Sequence, residues 1–190
     1  MRHFCSGVVL TLCGLVPGAA QAFDCNADSW FGRKCQAIHE AWDTGRNDLY
    51  LPFLAHHGRD TYTPERISEF NEQALGLGYG RSIVEKRSRF RGDWHGIYIM
   101  GFRDSHRDLQ TMAGYAYQTY LGSETLNLGF GYTAFLISRR DIANGFPVPA
   151  ILPMASVNYR DFSLMGVYVP RLSKKQGNGD VLFLFGHVSF

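Results

Sequence analysis

Three residues of this chain have the types that acyl transfer or ester hydrolysis requires: His57, Asp104 and Ser105. A histidine can act as general base near neutral pH. A carboxylate can orient it, and a hydroxyl can attack or donate a hydrogen bond. Spacing alone marks them weakly, because the chain carries seven histidines and Asp-Ser is a common loop opener. The adjacent His56 competes with His57, since neighbours on a strand face opposite sides and only one can point inward. His95, His106 and His187 read as interfacial or solvated. The elements around these residues decide whether they can meet.

Asp104 and Ser105 close the stretch DWHGIYIMGFRDS, which leaves a polar turn and alternates through apolar residues. His57 closes the segment Leu49–His57. From Leu49 onward the chain contains eight strand-like segments: Leu49–His57, Gly76–Glu85, Asp93–Arg103, Thr111–Leu121, Thr125–Ser138, Pro147–Asn158, Phe162–Val169 and Asp180–Phe190. Long polar connections, such as Gly58–Ala74, tend to alternate with short ones. KRSRFRG is the longest of the short class and fits least well.

In the fifth segment Leu126, Leu128, Phe130, Tyr132 and Leu136 share one parity, against Asn127, Gly129, Gly131 and Thr133. In the fourth, Tyr115, Tyr117 and Leu121 oppose Gly114, Ala116, Gln118 and Tyr120. A bulky apolar face and a small or polar one suit lipid and lumen respectively. A water-soluble barrel would put the bulky face inside. The expected fold is therefore all-β, an eight-stranded antiparallel transmembrane barrel. An even strand count returns both termini to the periplasm, so the first and third strands run outward. Their ends, His57 and Asp104-Ser105, then share the outer membrane surface.

Residues 1–22 read as a secretory signal peptide: a basic start at Arg2 and His3, the apolar run GVVLTLCGLV, and Ala20-Gln21-Ala22 for cleavage. The mature chain would span residues 23–190, with an amphipathic helix over 28–44 and the barrel over 49–190. Phe31, Cys35, Ile38 and Trp42 fall on one helix face, Asp28 or Ser29 can cap its start, and Gly45 supplies a stop. Such a helix packs on a core or lies on a membrane surface.

Cys5 and Cys13 leave with the signal. Cys25 and Cys35 are structural, free or paired; no metal site and no cofactor is expected. The formal charge of +2 gives no reason to expect nucleic acid. Beyond the signal no apolar run is long enough for a transmembrane helix.

Prolines add a second signal. Pro52 lies in the first strand, Pro147, Pro149 and Pro153 in the sixth, and Pro170 closes the seventh. Proline cannot donate to a ladder. In a closed barrel, Pro52 and Pro153 imply local gaps through which a lipid tail could pass sideways.

LYLPFLAHHGRDTY, DWHGIYIMGFRDS, AGYAY, LNLGFGYTA, PVPAILPMASVNY and VLFLFGHVSF together resemble the PagP family of lipid A palmitoyltransferases, in order and over nearly the whole mature chain. The resemblance implies a barrel with a periplasm-side helix that moves palmitate from the sn-1 position of a phospholipid to a hydroxyacyl chain of lipid A. It matches the family's surface histidine to His57, its Asp-Ser pair to Asp104-Ser105, and its lateral-gate prolines to Pro52, Pro153 and Pro170. A further gate proline is Ala74 here. The family's acyl-chain ruler, a glycine, is Ala116, whose methyl would shorten the well by about one methylene. Partners implied are a phospholipid donor and a lipid A acceptor in the outer membrane, with a monomeric or homodimeric protein.

In the mechanism that follows, His57, oriented by Asp104, deprotonates the attacking hydroxyl, and Ser105 binds the oxyanion or carries a transient acyl group. Two other readings stay open: a non-enzymatic structural or adhesion barrel, and a lipid A deacylase or phospholipase.

Overall fold

The computed structural model describes residues 25, 28–140, 143–171 and 179–190. The expected signal peptide and Cys5 and Cys13 lie outside the described residues. Helix α1 (Trp30–Thr44) precedes β1 (Arg46–His57), a short α2 (Pro64–Glu69), and seven strands: β2 (Gly76–Ser88), β3 (Arg91–Arg103), β4 (Leu109–Gly122), β5 (Leu126–Ser138), β6 (Val148–Tyr159), β7 (Phe162–Val169) and β8 (Val181–Ser189). The strands pair in chain order, each antiparallel to the next, and β8 closes on β1.

Alternation sorts the side chains as expected on the outside. Leu77, Tyr79, Ile99, Leu121, Leu128, Phe130, Leu136, Ile151 and Leu164 are exposed on the wall. So wide an apolar exterior suits lipid rather than water. No helix among the described residues is long and apolar enough to cross a membrane. The lumen departs from the simple expectation. Its half nearest α1 is rich in buried polar groups, Asp48, Gln118, Asn158 and His187, beside the large Tyr50 and Trp94, but the other half is packed with Met100, Phe102, Met112, Phe135, Phe183 and Phe185.

KRSRFRG proves to be mostly strand. β2 runs on to Ser88 and β3 begins at Arg91, leaving a tight turn at Arg89 and Phe90. The polar connection after β1 contains α2, which sequence periodicity did not reveal. Pro64 stands in its first turn and the Thr63 hydroxyl accepts from the Arg66 amide, both ordinary helix starters.

Ser29 caps α1, its Oγ accepting from the Gly32 amide at 2.8 Å. Gly32, Ala37 and Ala41 are the buried residues of α1, and their small side chains allow a close approach to β2 and β3. Trp30, Phe31, Ile38 and Trp42 turn away from the barrel and stay exposed, the disposition of a helix lying at a membrane interface. The C-terminal carbonyls of α1 need partners outside the helix. Arg81 supplies them from β2, donating to the carbonyls of Trp42 and Gly45. At Gly45 a Cβ would fall 2.4 Å from the Ala41 carbonyl oxygen, so only glycine fits. Cys25 and Cys35 form a disulfide that ties the chain before α1 to its second turn.

Candidate active site

β1 carries one irregularity that decides which histidine faces inward. On β8, Pro52 pairs with Phe185 and Leu54 with the next residue, Leu184. Phe53 is therefore an extra residue, a β-bulge. Below it Asp48, Tyr50 and Pro52 are buried; above it the buried set is Ala55 and His57. Uninterrupted alternation from Tyr50 would have sent His56 inward. The bulge sends His57 instead, leaving His57 3% exposed and the His56 side chain 44% exposed.

The ends of β1 and β3 meet. His57 Nε2 lies 3.1 Å from Ser105 Oγ. The imidazole stacks on Phe70 with ring centroids 4.4 Å apart, and the edge of Tyr62 closes another side. On the far side of the ring, Nδ1 is 3.4 Å from Glu72 Oε1, a close approach without hydrogen-bond geometry.

Glu72 was not singled out in the sequence. It belongs to a strap, residues 70–75, that spans the gap between β1 and β3. The Ala55 amide donates to the Glu72 carbonyl at 2.8 Å, and the His57 amide donates to Glu72 Oε1 at 2.9 Å. Toward β3, the Asn71 amide donates to the Ser105 carbonyl and the Arg103 amide to the Leu75 carbonyl. Arg59 forks onto the Glu72 carboxylate at 2.9 and 2.8 Å, so it is engaged within the protein. Partial burial alone would raise the Glu72 carboxyl. The Arg59 hydrogen bonds and the His57 amide outweigh that and bring it down to about 2.

Asp104 is placed differently from the sequence expectation. Its Oδ1 accepts from the amides of His106 and Asp108 at 2.8 and 2.9 Å, and its Oδ2 lies 3.3 Å from an Arg139 nitrogen. The carboxylate holds the turn that follows β3, and makes no hydrogen bond with His57. The group that faces the imidazole is Glu72.

Below Ser105 the lumen holds an apolar cavity of about 370 Å³. Its mouth is bordered by Arg103, Asp104, Ser105 and Arg139, its walls by Phe102, Met112, Phe135 and Phe183, and its bottom by Trp94, Tyr98, Ala116 and Thr133. Tyr98 and Thr133 satisfy each other there at 2.6 Å. Ala116, 1% exposed, sits in that floor. His57 does not border the cavity; Ser105 stands between them.

Two ladders are incomplete at the site end. β1 and β2 pair only from Arg46↔Ser82 to Tyr50↔Gly78, although β1 continues to His57. β6 and β7 pair only from Met154↔Val167 to Tyr159↔Phe162, although β6 begins at Val148. Pro52 lies in the first gap and Pro153 edges the second. Pro170 follows the last residue of β7. Ala74, in the strap beside the first gap, is buried.

The other histidines correct the sequence reading in part. His106 is exposed, but His95 and His187 are each 3% exposed. His95 is covered beside α1 and lies 2.7 Å from Tyr115 Oη. His187 sits in the polar half of the lumen, Nε2 3.1 Å from Asp48 Oδ1 and Nδ1 3.3 Å from Ser163 Oγ. Among the described residues, the grouping close enough to hold a metal is Cys25, Cys35 and His39. Its two sulfurs are bonded to each other and are not thiolates.

The family model described as antimicrobial peptide resistance and lipid A acylation protein PagP matches residues 37–187. A lipid A acyltransferase PagP of Methylobacillus flagellatus is 46% identical over 178 residues, covering 93% of this chain and 92% of the relative. One of Bordetella parapertussis is 44% identical over 178 residues, with 93% of each chain covered. One of Legionella pneumophila is 38% identical over 157 residues, covering 82% and 80%.

Proposed function

The chain belongs to the PagP family, and from that premise we propose that it is an acyltransferase that modifies lipid A. It moves a palmitoyl or slightly shorter chain from the sn-1 position of a phospholipid to a hydroxyacyl chain of lipid A. On this reading the chain is exported by its 1–22 leader, the barrel crosses the outer membrane, and the His57–Ser105 end faces outside. The observation that carries the proposal is the pairing of His57 with Ser105 at the mouth of an apolar, floored cavity. Catalytic groups over a well that admits one acyl chain suit an acyl ester better than any water-soluble substrate.

In the favoured mechanism the acceptor hydroxyl attacks the acyl carbonyl carbon, forming the new ester bond. Its proton passes directly to His57 Nε2, beside Ser105, while the Ser105 hydroxyl donates to the developing oxyanion. The bond between the acyl carbon and the sn-1 oxygen then breaks, and His57 returns the proton to that oxygen as the lysophospholipid leaves. Asp104 contributes at the site by holding the turn that presents Ser105, and by pairing Arg139 at the cavity mouth. Pro52, Pro153 and Pro170 stand where the ladders are open, consistent with lateral passage of lipid into the lumen. Ala116 sets the depth of the well, so the preferred chain is slightly shorter than sixteen carbons.

A second reading has support in the same geometry, because Ser105 borders the cavity and His57 does not. Ser105 would attack and lose its proton to His57, which passes it to the departing sn-1 oxygen of the lysophospholipid. The acceptor hydroxyl, deprotonated in turn by His57, would then take the acyl group and Ser105 would regain its proton. Rapid quenching and mass spectrometry separate the two: a palmitoyl adduct on Ser105 establishes the covalent route.

The decisive experiment is to express the protein in outer membranes and weigh lipid A. Gain of one acyl chain supports transfer. Loss of a chain would mean deacylation, and no change a structural barrel.

A further inference from the structure

We infer that Glu72, clamped by Arg59, is the positioning residue of His57, fixing which ring nitrogen carries the proton. The inference rests on the reading of His57 as the base.

A neutral imidazole has one donor and one acceptor nitrogen, and only the right tautomer leaves a base facing the reaction. The ring of His57 is buried and offers its two nitrogens to different neighbours. Nε2 faces Ser105 Oγ at 3.1 Å; Nδ1 faces Glu72 Oε1 at 3.4 Å. Among the described residues no other carboxylate pairs with the buried ring, and Asp104 is occupied by two backbone amides and Arg139. A negative oxygen beside Nδ1 favours the proton there, which leaves the Nε2 lone pair directed at Ser105 and the cavity mouth beyond. As positive charge develops on the imidazole, the same carboxylate stabilises it.

Glu72 is built to keep that position. Its carbonyl and its Oε1 accept from the amides of Ala55 and His57, on the strand that bears the histidine. The next residue back, Asn71, bonds the carbonyl of Ser105 itself. The strap thus locks the base, the hydroxyl and the carboxylate in one frame. Arg59 forks onto both carboxylate oxygens, which holds the carboxylate ionised and in plane. A surface ion pair of this kind contributes little to stability on its own. Its use here is orientation.

The test compares wild type, Glu72→Gln and His57→Ala in the full chain, refolded in detergent, with an acyl-transfer assay and ¹⁵N spectra of histidine-labelled protein. Migration of unheated barrel on a denaturing gel reports folding. Wild-type His57 should show the Nδ1–H tautomer. Glu72→Gln keeps an acceptor for the His57 amide but removes the charge. It should lower kcat about 10- to 100-fold with KM within about twofold, and its His57 signals should move toward the Nε2–H tautomer. An Nε2–H tautomer in wild type overturns the inference whether or not the variant folds. So does a folded Glu72→Gln with kcat within about twofold of wild type. If His57→Ala is inactive in that case, only the positioning role of Glu72 falls. If His57→Ala remains active, the assignment of the base itself falls with it.

Discussion

The two ends of the lumen contain the same kinds of residue put to opposite uses. At one end His57 and Ser105 stand at the mouth of an apolar cavity, with Glu72 behind the ring. At the other end Asp48, His187, Ser163 and Ser189 also join carboxylate, imidazole and hydroxyl. In the second group the carboxylate is wholly buried, and Tyr50 and Ser189 also donate to it. Gln118 and Ser156 bond each other close by. His187, Ser163 and Ser189 of that group line a wider hollow of mixed polarity, and the group cross-links β1, β7 and β8. Residue types do not separate the two, and spacing does not either. What separates them is an adjoining apolar space in which an acyl chain can lie.

This contrast can be broken experimentally, and the largest expected effect is on chemistry. His57→Ala should reduce lipid A acylation about 10²- to 10⁴-fold, the range for loss of a general base, with the barrel still folding; acylation at wild-type rate would mean that the contrast had been drawn the wrong way round. Asp48→Ala should do the reverse. It leaves Tyr50 and Ser189 without their shared acceptor and His187 without the carboxylate beside it, and should cost about 3–5 kcal/mol of stability in urea unfolding, while the folded fraction keeps transferring acyl groups. A smaller effect should come from the boundary between the two ends. Ala116→Gly deepens the well by about one methylene, worth about 0.8 kcal/mol of burial, and should lengthen the preferred acyl chain by about one carbon in lipid A mass spectra. An unchanged chain-length profile would remove Ala116 from the floor's function.

The smallest effect concerns pH. The Glu72 carboxyl is held at about 2 in the fold, against about 4.3 unfolded. Its contribution to the strap is therefore complete above the unfolded value and is lost as pH falls from there through about 2. Amide exchange at Ala55 and His57, corrected for intrinsic rates, should show protection weakening over that window. Protection that persists below it would show that the backbone bonds hold the strap unaided.

Much of this is legible in the sequence, for a physical reason. Period-two alternation with lipid on one side and lumen on the other marks every strand, so Thr125–Ser138 and Phe162–Val169 were read almost to the residue. Strand parity then brought His57 and Ser105 to one end, and they are in contact. What could not be read depends on interactions with no local period. Glu72 lies in a polar connection and gains its place through hydrogen bonds from Ala55, His57 and Arg59, while Asn71 and Leu75 tie the strap to β3. Asp104 was paired with His57 by analogy of type, but adjacent backbone amides compete for it and win. His187 looked solvated because a histidine in a terminal strand says nothing about a buried aspartate on the strand across the closing seam. KRSRFRG looked like a loop because its charges hide the fact that strands extend past the lipid into water.

Phe53 has a consequence in a different domain, that of insertions and deletions. A strand in a closed barrel is a count of residues, and losing one normally turns a whole segment inside out. The bulge makes Phe53 the residue that the count against β8 leaves out. Removing it should restore uninterrupted alternation from Asp48 through His57 with both ends of the strand still facing as they do now. The lineage could therefore lose that codon and keep His57 facing the lumen, a tolerance that neighbouring positions such as Leu49 do not share.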